Sequence, residues 1–451
     1  MNREELQSLL DELRVKHGVV GATLGVLNEG GIEAVGSGLL NLDTAVACTP
    51  DSVFQIGSIG KVFTTTLIMQ LVDQGRLGLD DPVVTHLRDF RLADRACARS
   101  VTVRQLLNHT SGIDGDFFAE DDPEGPSTAS YLRKMCLLGN LYPPGKGPVT
   151  YCNAGFVVAG RIVEILTGMT WAGAITRRIL RPLGLRHAFA EPREALRYRC
   201  AIGHVFEEGS LTRTRVAPVT YLSLSMAPAG SVLSMSVEDL LNFARVHMAN
   251  GKNGDGKPLL SEASARRMRE ELTEVPPFSQ PGVTHWGLGW AIGKSGTYDM
   301  AGHDGGTIGQ YTYLRTFPSR GTAFALFTNS PSLKLFTDVE ARLTERLAGA
   351  SPPGEPPARS FAPDANRYIG RYAGVAAEFE VQMAEGKFTL EGLSRMGGPA
   401  LHATLEPYSP DVFVQRAPGH PADGQKVAFV GESGPAAFIR MGFRMVRRTG
   451  K

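Results

Sequence analysis

A proline-rich stretch late in the chain constrains the fold more than any other feature of the sequence. Residues 349–364 read GASPPGEPPARSFAPD. Proline fixes the backbone angle φ and lacks an N–H group, so such a stretch cannot continue a helix or a central strand. We therefore predict a linker over residues 349–364, between a body of residues 1–348 and a C-terminal unit of residues 365–451.

The two parts differ in their hydrophobic patterns. The body mixes strand-like runs such as GATLGVLNEGG with helix-like runs, among them Lys61–Gln74, NAGFVVAGRIVEILTG and SVEDLLNFARVHMANG. This mixture is typical of an α/β (α+β) fold. The C-terminal unit consists of short alternating segments, such as AEFEVQMAEG and KVAFVGE, which predict a small antiparallel β unit that could close into a barrel.

Composition argues against several classes of function. The chain has 451 residues, with 47 Lys and Arg against 46 Asp and Glu, so it lacks the basic surface expected for nucleic acid. Acidic residues stand where a secretory signal would begin, and no apolar run reaches about 18 residues, so we expect a cytoplasmic protein that does not bind a membrane. The five cysteines and ten histidines are scattered, and we predict no disulfide framework, no metal and no cofactor.

A hydroxyl and an amine stand one helical turn apart at Ser58 and Lys61, where a mostly apolar helix begins. Residues i and i+3 share one face of a helix, with their Cβ atoms about 5 to 6 Å apart. Burial disfavours the charged form of lysine, so Lys61 could act as a base for Ser58, and N–H groups at a helix start can stabilise an oxyanion. The alternative is that Ser58 caps the helix and Lys61 lies on the surface.

Two further motifs carry polar side chains. Tyr151 and Asn153 stand two residues apart ahead of a helix. An extended backbone would point both toward one site and Cys152 into the packing; the alternative is a partly buried tyrosine and an Asn cap. His303 precedes glycines at the predicted start of a strand, where a substrate or another backbone can come close; the alternative there is a plain turn.

Three motifs together carry a family resemblance. SIGK at 58–61, YCN at 151–153 and HDG at 303–305 resemble the motifs of the serine β-lactamase and penicillin-binding-protein family, most closely its class C and D,D-peptidase branch. The resemblance implies an antiparallel sheet flanked by helices, with an all-helical insertion. The C-terminal unit resembles the lipocalin-like barrel of some members.

The resemblance implies a role for each motif residue. Ser58 would be the acylated nucleophile and Lys61 its base. Tyr151 would pass a proton to and from the leaving group, and Asn153 would bind the substrate's amide carbonyl and help to place Lys61. His303 stands where better-known members carry a lysine, and it would polarise Tyr151 or contact the substrate. Because imidazole supplies no fixed positive charge, this replacement lowers the expectation of β-lactamase activity.

Backbone and C-terminal groups complete the implied site. The N–H groups of Ser58 and Gly306 would form the oxyanion hole, and Gly305 would contact the substrate. Arg444, on the basic segment IRMGFRMVRR, would bind a substrate carboxylate, with a solvated strand face as the alternative. His109, in the segment NHTSG, is expected to belong to a structural turn outside the site.

An acyl-enzyme can pass its acyl group to water or to an amine, and the motifs do not decide between the two. We predict a serine hydrolase or acyltransferase that acts on a small peptide-like, D-configured ester or thioester. The preferred interpretation is a penicillin-binding-protein-type thioesterase that releases or macrocyclises a nonribosomal peptide, with a peptidyl carrier protein as partner. The alternatives are a D-amino-acid-specific peptidase, amidase or esterase and, less favoured because the motif residues are all present, a catalytically inactive binding module.

Overall fold

The body is built around an antiparallel sheet of nine strands, in a computed structural model that describes residues 2–123, 125–254, 256–394 and 400–450. From one edge to the other, the strands are Val46–Ala47, Gly31–Asn41, Gly21–Asn28, Thr322–Thr328, Tyr311–Phe317, Tyr298–Gly306, Ala291–Ser295, His285–Trp286 and Thr273–Glu274. The first strand of the chain thus pairs with the last strand of the body, with Ala22 opposite Thr328. The predicted hairpin near the N-terminus and the three predicted strands after residue 288 are confirmed.

Helices cover both faces of this sheet. In the strand Thr322–Thr328, Ala325 and Phe327 belong to one cluster of buried apolar residues, and Phe324 and Leu326 belong to a second. Successive side chains of a strand point to opposite faces, so both faces are buried. The helices of the body are Arg3–Lys16, Gly60–Asp73, Val83–His86, Arg95–Ser100, Val103–Leu107, Thr128–Met135, Asn153–Thr167, Trp171–Ile175, Val237–Met248, Glu262–Glu270 and Leu333–Ala348.

The helix Gly60–Asp73 is buried on all sides, and it carries the first motif. Most of its side chains are apolar, and two of its three threonines satisfy their hydroxyls inside the helix, as Thr65 does by donating to the Lys61 carbonyl oxygen at 2.9 Å. A helix that is apolar all round belongs in a core. The short 3-10 turn Gly57–Ile59 precedes it directly and holds the half-buried Ser58 between the buried residues Gly57 and Ile59.

The region after this helix forms the all-helical insertion that the resemblance implies. Between Gln55 and Ala188 the described residues form helices and loops and no strand. No single helix of the described chain is long and apolar enough to cross a bilayer; Asn153–Thr167 and the segment Trp171–Leu180 pass that test only as a pair bent by 73°. The cytoplasmic location stays a prediction.

The C-terminal unit is a closed antiparallel barrel, as the alternating pattern predicts. Its strands, in order around the barrel, are Gly370–Ala373, Ala377–Ala384, Lys387–Ser394, Leu401–Ser409, Val412–Arg416, Lys426–Val430, Phe438–Met441 and Arg444–Gly450. The short helix Ala365–Tyr368 precedes the first strand, and residues 349–364 contain no helix or strand. The domain limits at 1–348, 349–364 and 365–451 stay a prediction.

One predicted boundary is wrong. His303 was expected at the start of a strand, but it lies near the end of Tyr298–Gly306. This strand contains Gly302, Gly305 and Gly306, and glycine weakens strand propensity, so the local pattern hides it. Backbone pairing with Ala291–Ser295 on one side and Tyr311–Phe317 on the other creates the strand.

Candidate active site

Ser58 and Lys61 meet as the spacing predicts. The Lys61 Nζ lies 3.0 Å from the Ser58 Oγ and donates to the Ala229 carbonyl oxygen at 2.6 Å. The Lys61 side chain is fully buried, and the cap position of its helix is Ile59, so the alternative of a capping serine beside a surface lysine is wrong. The carbonyl of Ala229, 168 residues further along the chain, gives the amine a second hydrogen-bond partner.

Burial controls the charge of Lys61. Loss of hydration lowers the pKa of Lys61 to about 7, with Asp116 raising it and Arg444 lowering it by smaller amounts. The amine also lies 4.9 Å from the ring centre of Tyr151 and 5.6 Å from that of Phe156, and these ring faces favour its charged form. Because burial has the larger effect, a large fraction of Lys61 is nevertheless neutral at neutral pH, as a general base requires.

Glycine brings the Ser58 turn against the end of a strand. Gly57 has a φ of +53°, and a Cβ on it would lie 2.5 Å from the backbone nitrogen of Gly306. Only glycine combines that conformation with that approach. The predicted oxyanion-hole groups, the N–H of Ser58 and the N–H of Gly306, therefore belong to two backbone segments in direct contact.

Gly305 has a structural reason to be glycine. A Cβ there would lie 2.0 Å from the Ile56 carbonyl oxygen and 2.4 Å from the Thr312 hydroxyl. That hydroxyl itself donates to the Ile56 carbonyl oxygen at 2.8 Å. Gly305 thus lets the strand approach the Ser58 turn, and the predicted contact between Gly305 and substrate stays a prediction.

Tyr151 presents a protonated hydroxyl beside Ser58. Burial raises the pKa of Tyr151, and the neighbouring Ser58 side chain lowers it by a smaller amount. The Tyr151 backbone N–H donates to the Phe443 carbonyl oxygen, 2.9 Å away on the barrel. The ring centres of Tyr151 and His303 lie 6.1 Å apart. The phenol therefore keeps its proton at neutral pH and can donate it.

Cys152, rather than Asn153, caps the helix Asn153–Thr167. The Cys152 sulfur accepts the N–H of Gly155 at 3.3 Å, and burial raises the pKa of its thiol to about 12. The predicted packing role for Cys152 agrees with this environment, and the Asn-cap alternative is wrong. The Asn153 amide is free of the cap and donates to the Asp116 carboxylate at 2.6 Å.

Asp116 and its ion pair with Arg444 were not predicted. Asp116 is buried and accepts hydrogen bonds from Asn153 and from the Arg444 guanidinium, which comes from the barrel. The guanidinium also lies 4.9 Å from the ring centre of Tyr151. Arg444 therefore reaches the site, but its charge is balanced by Asp116 instead of being free for a substrate carboxylate. The only signal in the sequence was that Asp116 lies in the acid-rich loop after NHTSG.

His303 is a neutral imidazole. Its Nδ1 lies 2.6 Å from the Asp304 carbonyl oxygen, which can only accept, so Nδ1 carries the proton and Nε2 has a free lone pair. Burial, followed by the positive charge of Lys61, lowers the pKa of His303 to about 4. The predicted loss of a fixed positive charge at the third motif agrees with this environment.

A pocket of about 990 Å³ joins these groups, with Lys61 behind its wall. Its apolar lining includes Phe118, Leu222, Met226 and Ile308, and the barrel supplies residues 423–426 and 442–444. Of the predicted site residues, the lining includes Ser58, Tyr151, Asn153, His303, Gly305, Gly306 and Arg444. The structure thus gathers these groups around one cavity, large enough for a short peptide.

A tight hairpin of the barrel enters this pocket. Met441 pairs with Arg444 across a two-residue turn whose first residue, Gly442, has a φ of +55°. The second residue, Phe443, packs edge-on against Trp286, with ring centres 5.1 Å apart. The barrel therefore forms part of the wall of the site.

Comparisons with known proteins agree with the motifs. A family profile described as Beta-lactamase matches residues 6–348. The chain is 41% identical over 370 residues to the Penicillin-binding protein 4 of Amycolatopsis lactamdurans, a match that covers 80% of this chain and 96% of that protein.

Solved structures extend the similarity to the barrel. The crystal structure of SurE superposes with a TM-score of 0.78 at 32% identity and covers 99% of both chains; SurE with D-Leu matches at 31% identity. A D-stereospecific amidohydrolase from Streptomyces sp. superposes with a TM-score of 0.59 at 25% identity, covering 76% of this chain and 98% of that one.

Proposed function

Because the chain belongs to the β-lactamase family and is a serine hydrolase of the β-lactamase and penicillin-binding-protein type, we propose that it takes a D-configured peptidyl group from a thioester and passes it to an amine. One observation carries the proposal of an acyl-enzyme on Ser58. The fully buried Lys61 amine, with a pKa lowered to about 7, lies 3.0 Å from the Ser58 hydroxyl. A serine becomes a nucleophile when a base of this kind is within hydrogen-bonding distance.

Acylation uses four groups of the site. Neutral Lys61 takes the proton of the Ser58 hydroxyl as Oγ attacks the acyl carbon, and the N–H groups of Ser58 and Gly306 stabilise the oxyanion. When the tetrahedral intermediate collapses, the Tyr151 hydroxyl protonates the leaving sulfur or nitrogen and regains a proton from the Lys61 ammonium. The step leaves an ester on Ser58 and a neutral amine on Lys61.

Deacylation repeats these steps in reverse. An amine attacks the Ser58 ester, Tyr151 relays its proton to Lys61, and Lys61 returns it to the departing Ser58 oxygen. If the amine is the N-terminus of the same peptide, the product is a ring; if water attacks, the product is an acid. We propose that the Asn153 side chain donates a hydrogen bond to the amide carbonyl of the acyl chain. Neutral His303 would accept a hydrogen bond at its free Nε2, from Tyr151 or from the substrate.

The size and wall of the pocket support a peptidyl substrate with an amine acceptor. A cavity of about 990 Å³ holds several residues, and the barrel hairpin adds the aromatic side chain of Phe443 to its wall. Arg444, the arginine of the described pocket lining, is paired with Asp116 and is not free for a substrate carboxylate, which fits an acyl donor whose C-terminus is an ester or a thioester. A peptidyl carrier protein is the proposed source of that thioester.

A second candidate, hydrolysis of D-amino acid amides, has its own support. A D-stereospecific amidohydrolase is 25% identical to the chain, and SurE has been crystallised with D-Leu. Both names point to the D configuration, and the first points to an amide bond as the substrate and water as the acceptor. The two candidates share the acyl-enzyme and differ in the group that leaves and the group that attacks.

The test offers peptidyl N-acetylcysteamine thioesters that end in a D-residue or in its L-epimer, beside the matching D-amino acid amide. We expect a mass adduct on Ser58 and a cyclic product from the D-thioester, with neither from the L-epimer or from Ser58→Ala. Hydrolysed product alone, from thioester and amide alike, would replace the cyclase by the amidase. Absence of a Ser58 adduct with every substrate would refute the acyl-enzyme.

A further inference from the structure

A buried histidine lies beneath Tyr151. His109 is fully buried and has a φ of +59°, a left-handed conformation that residues other than glycine rarely adopt. It follows the helix Val103–Leu107, in the segment that the sequence assigns to a turn outside the site. The Thr110 N–H donates to the Gln105 carbonyl oxygen at 3.1 Å, so His109 is the left-handed residue that ends this helix, a position where glycine is the usual residue. A function for the imidazole must therefore come from the contacts of its side chain.

Two hydrogen bonds connect His109 to the extended segment that carries Tyr151. The Cys152 N–H donates to the His109 Nδ1 at 3.0 Å, and the Thr150 N–H donates to the His109 carbonyl oxygen at 2.9 Å. The residues on both sides of Tyr151 are thus fixed by one residue.

The imidazole also packs on the phenol ring itself. The rings of His109 and Tyr151 are stacked, with centres 4.3 Å apart and planes inclined by 30°. Trp286 meets the same imidazole edge-on at 4.8 Å, and the ring of Phe156 lies 5.3 Å from it. Because a tyrosine side chain has only two torsions, a fixed backbone and a stacked ring together determine where its hydroxyl lies.

We propose that His109 is a positioning residue, which holds the Tyr151 hydroxyl beside Ser58 and Lys61 through a ring stack and a backbone hydrogen bond. Imidazole is suited to this task because it combines an aromatic face with an acceptor nitrogen. The proposal rests on the proposed function, in which that hydroxyl transfers the proton. His109 lies behind the lining residues Tyr151 and Trp286 and takes no proton.

The imidazole is neutral in this arrangement. Since Nδ1 accepts the Cys152 N–H, the ring proton is on Nε2, which is buried and has no hydrogen-bond partner within the described part of the chain. Burial, and then the positive charges of Lys61 and Arg444, lower the pKa of His109 well below its ordinary value. A charged ring here would repel the Lys61 ammonium.

Two substitutions separate the functions of the ring. His109→Phe keeps the aromatic face and loses the acceptor, whereas His109→Asn keeps a side chain that tolerates the left-handed backbone and loses the face. With the D-terminated thioester, we expect kcat to fall by about 10²-fold in each and KM to stay unchanged, since misplacing a reacting group by about 1 Å has such an effect. His247→Phe is the control, because it removes another buried imidazole.

A double-mutant cycle tests whether His109 acts through Tyr151. In the Tyr151→Phe background, with Ser58→Ala as the blank, we expect His109→Phe to lower the residual kcat no further, because the hydroxyl that it positions is gone. A loss that is the same in both backgrounds would overturn the proposal. So would a normal kcat in both single variants. A wild-type enzyme that forms no Ser58 adduct would instead refute the proposed function.

A measurement on the wild-type protein does not depend on how the variants fold. ¹⁵N spectra of histidine-labelled protein, assigned by comparison with His109→Asn, report which ring nitrogen carries the proton. We expect His109 to remain neutral with the proton on Nε2 between pH 5 and 9, a range that would charge an ordinary imidazole at its acidic end. A charged ring, or a proton on Nδ1, would overturn the proposal, because the bond to Cys152 could not exist.

Discussion

At the scale of residues, burial sets the protonation state of each side chain in this site. Lys61 and His303 are both buried and both hold a pKa below the ordinary value, at about 7 and about 4 respectively. The same loss of hydration raises the pKa of Tyr151. Burial disfavours charge in each case, so near neutrality the site contains a largely neutral amine, a neutral imidazole and a protonated phenol.

The pH dependence of the reaction follows from Lys61. The neutral amine is the active form, so kcat/KM should rise with pH through about 7, tenfold per unit below that value, and level off above it. A pH profile with the D-terminated thioester from pH 5 to 9 measures this limb. Lys61→Ala should remove nearly all activity, because base and nucleophile act as a unit.

The profile also distinguishes Lys61 from His303. A substitution of His303 to Asn should lower the rate and leave an ascending limb near neutrality, since the His303 pKa of about 4 lies below the measured range. If the ascending limb disappears in this variant, the group that titrates near neutrality is the imidazole of His303 and not Lys61. Lys61→Ala with most of its activity retained would show that another group is the base.

At the scale of elements, backbone contact shapes the site as much as side chains do. The turn Gly57–Ile59 packs directly on the end of the strand Tyr298–Gly306, because Gly57 and Gly305 have no Cβ. The barrel hairpin adds a third element, whose Phe443 carbonyl accepts the Tyr151 N–H. The geometry of the reacting groups therefore depends on how closely three backbones approach one another.

The close approach at Gly57 gives a sharp prediction. In Gly57→Ala the new Cβ would displace the Gly306 N–H, and the loss of one oxyanion donor lowers kcat by about 10²–10³-fold. Gly75→Ala is the matched control, because its φ of +65° imposes the same backbone strain in open space. Thermal melts and kcat measured on both variants separate strain from displacement. Equal kcat in the two variants would refute the assigned role of Gly306.

The hairpin arginine gives a prediction for stability. Arg444→Ala removes the ion-pair partner of the buried Asp116 carboxylate and leaves Asn153 as a hydrogen-bond donor to it. We expect a loss of about 1–3 kcal/mol in the free energy of unfolding, as for a buried polar group that loses a partner. Arg371→Ala, which removes an exposed barrel ion pair with Glu380, should cost much less. Urea titrations measure both. A second change, Asp116→Asn, should recover part of the loss in Arg444→Ala and none in Arg371→Ala.

At the scale of the whole molecule, buried and half-buried polar contacts join the barrel to the body. Arg440 is almost fully buried and donates to the Ser279 hydroxyl and to the Pro277 carbonyl oxygen, each at 2.6 Å. Arg447 donates to the Leu141 carbonyl oxygen at 2.5 Å, and the Val375 N–H donates to Asp114. An interface of this kind couples the folding of the two parts.

We expect the wild-type protein to unfold in one transition. The chain has three tryptophans, Trp171, Trp286 and Trp290, all in the body. Their fluorescence reports on the body and, through the packing of Trp286 on Phe443, on its contact with the barrel hairpin, whereas circular dichroism reports on the secondary structure of both parts. The two probes should coincide in urea for the wild type and separate in Arg440→Ala. The exposed barrel residue Arg416, paired with Glu406, supplies the control substitution Arg416→Ala. Probes that already differ in the wild type would contradict the coupling.

Local patterns determined much of this protein. The three-residue spacing of Ser58 and Lys61 and the period-two alternation of the barrel strands are relations between near neighbours, and both appear in the structure. So does the helix of the run NAGFVVAGRIVEILTG, which ends at the glycine of that run, Gly168. The strand that ends at Gly306 escaped prediction because its glycines weaken the local signal, and pairing with neighbouring strands forms it.

Only the tertiary structure decided the environment of the reacting groups. Lys61 is bonded to Ala229, Asp116 is paired with Arg444, and His109 is stacked on Tyr151, each across a long stretch of chain. A pKa depends on burial and on charges that folding brings near, and neither is encoded in the spacing of adjacent residues. The sequence by itself therefore determined which groups could react, and packing determined their protonation and what holds them in position.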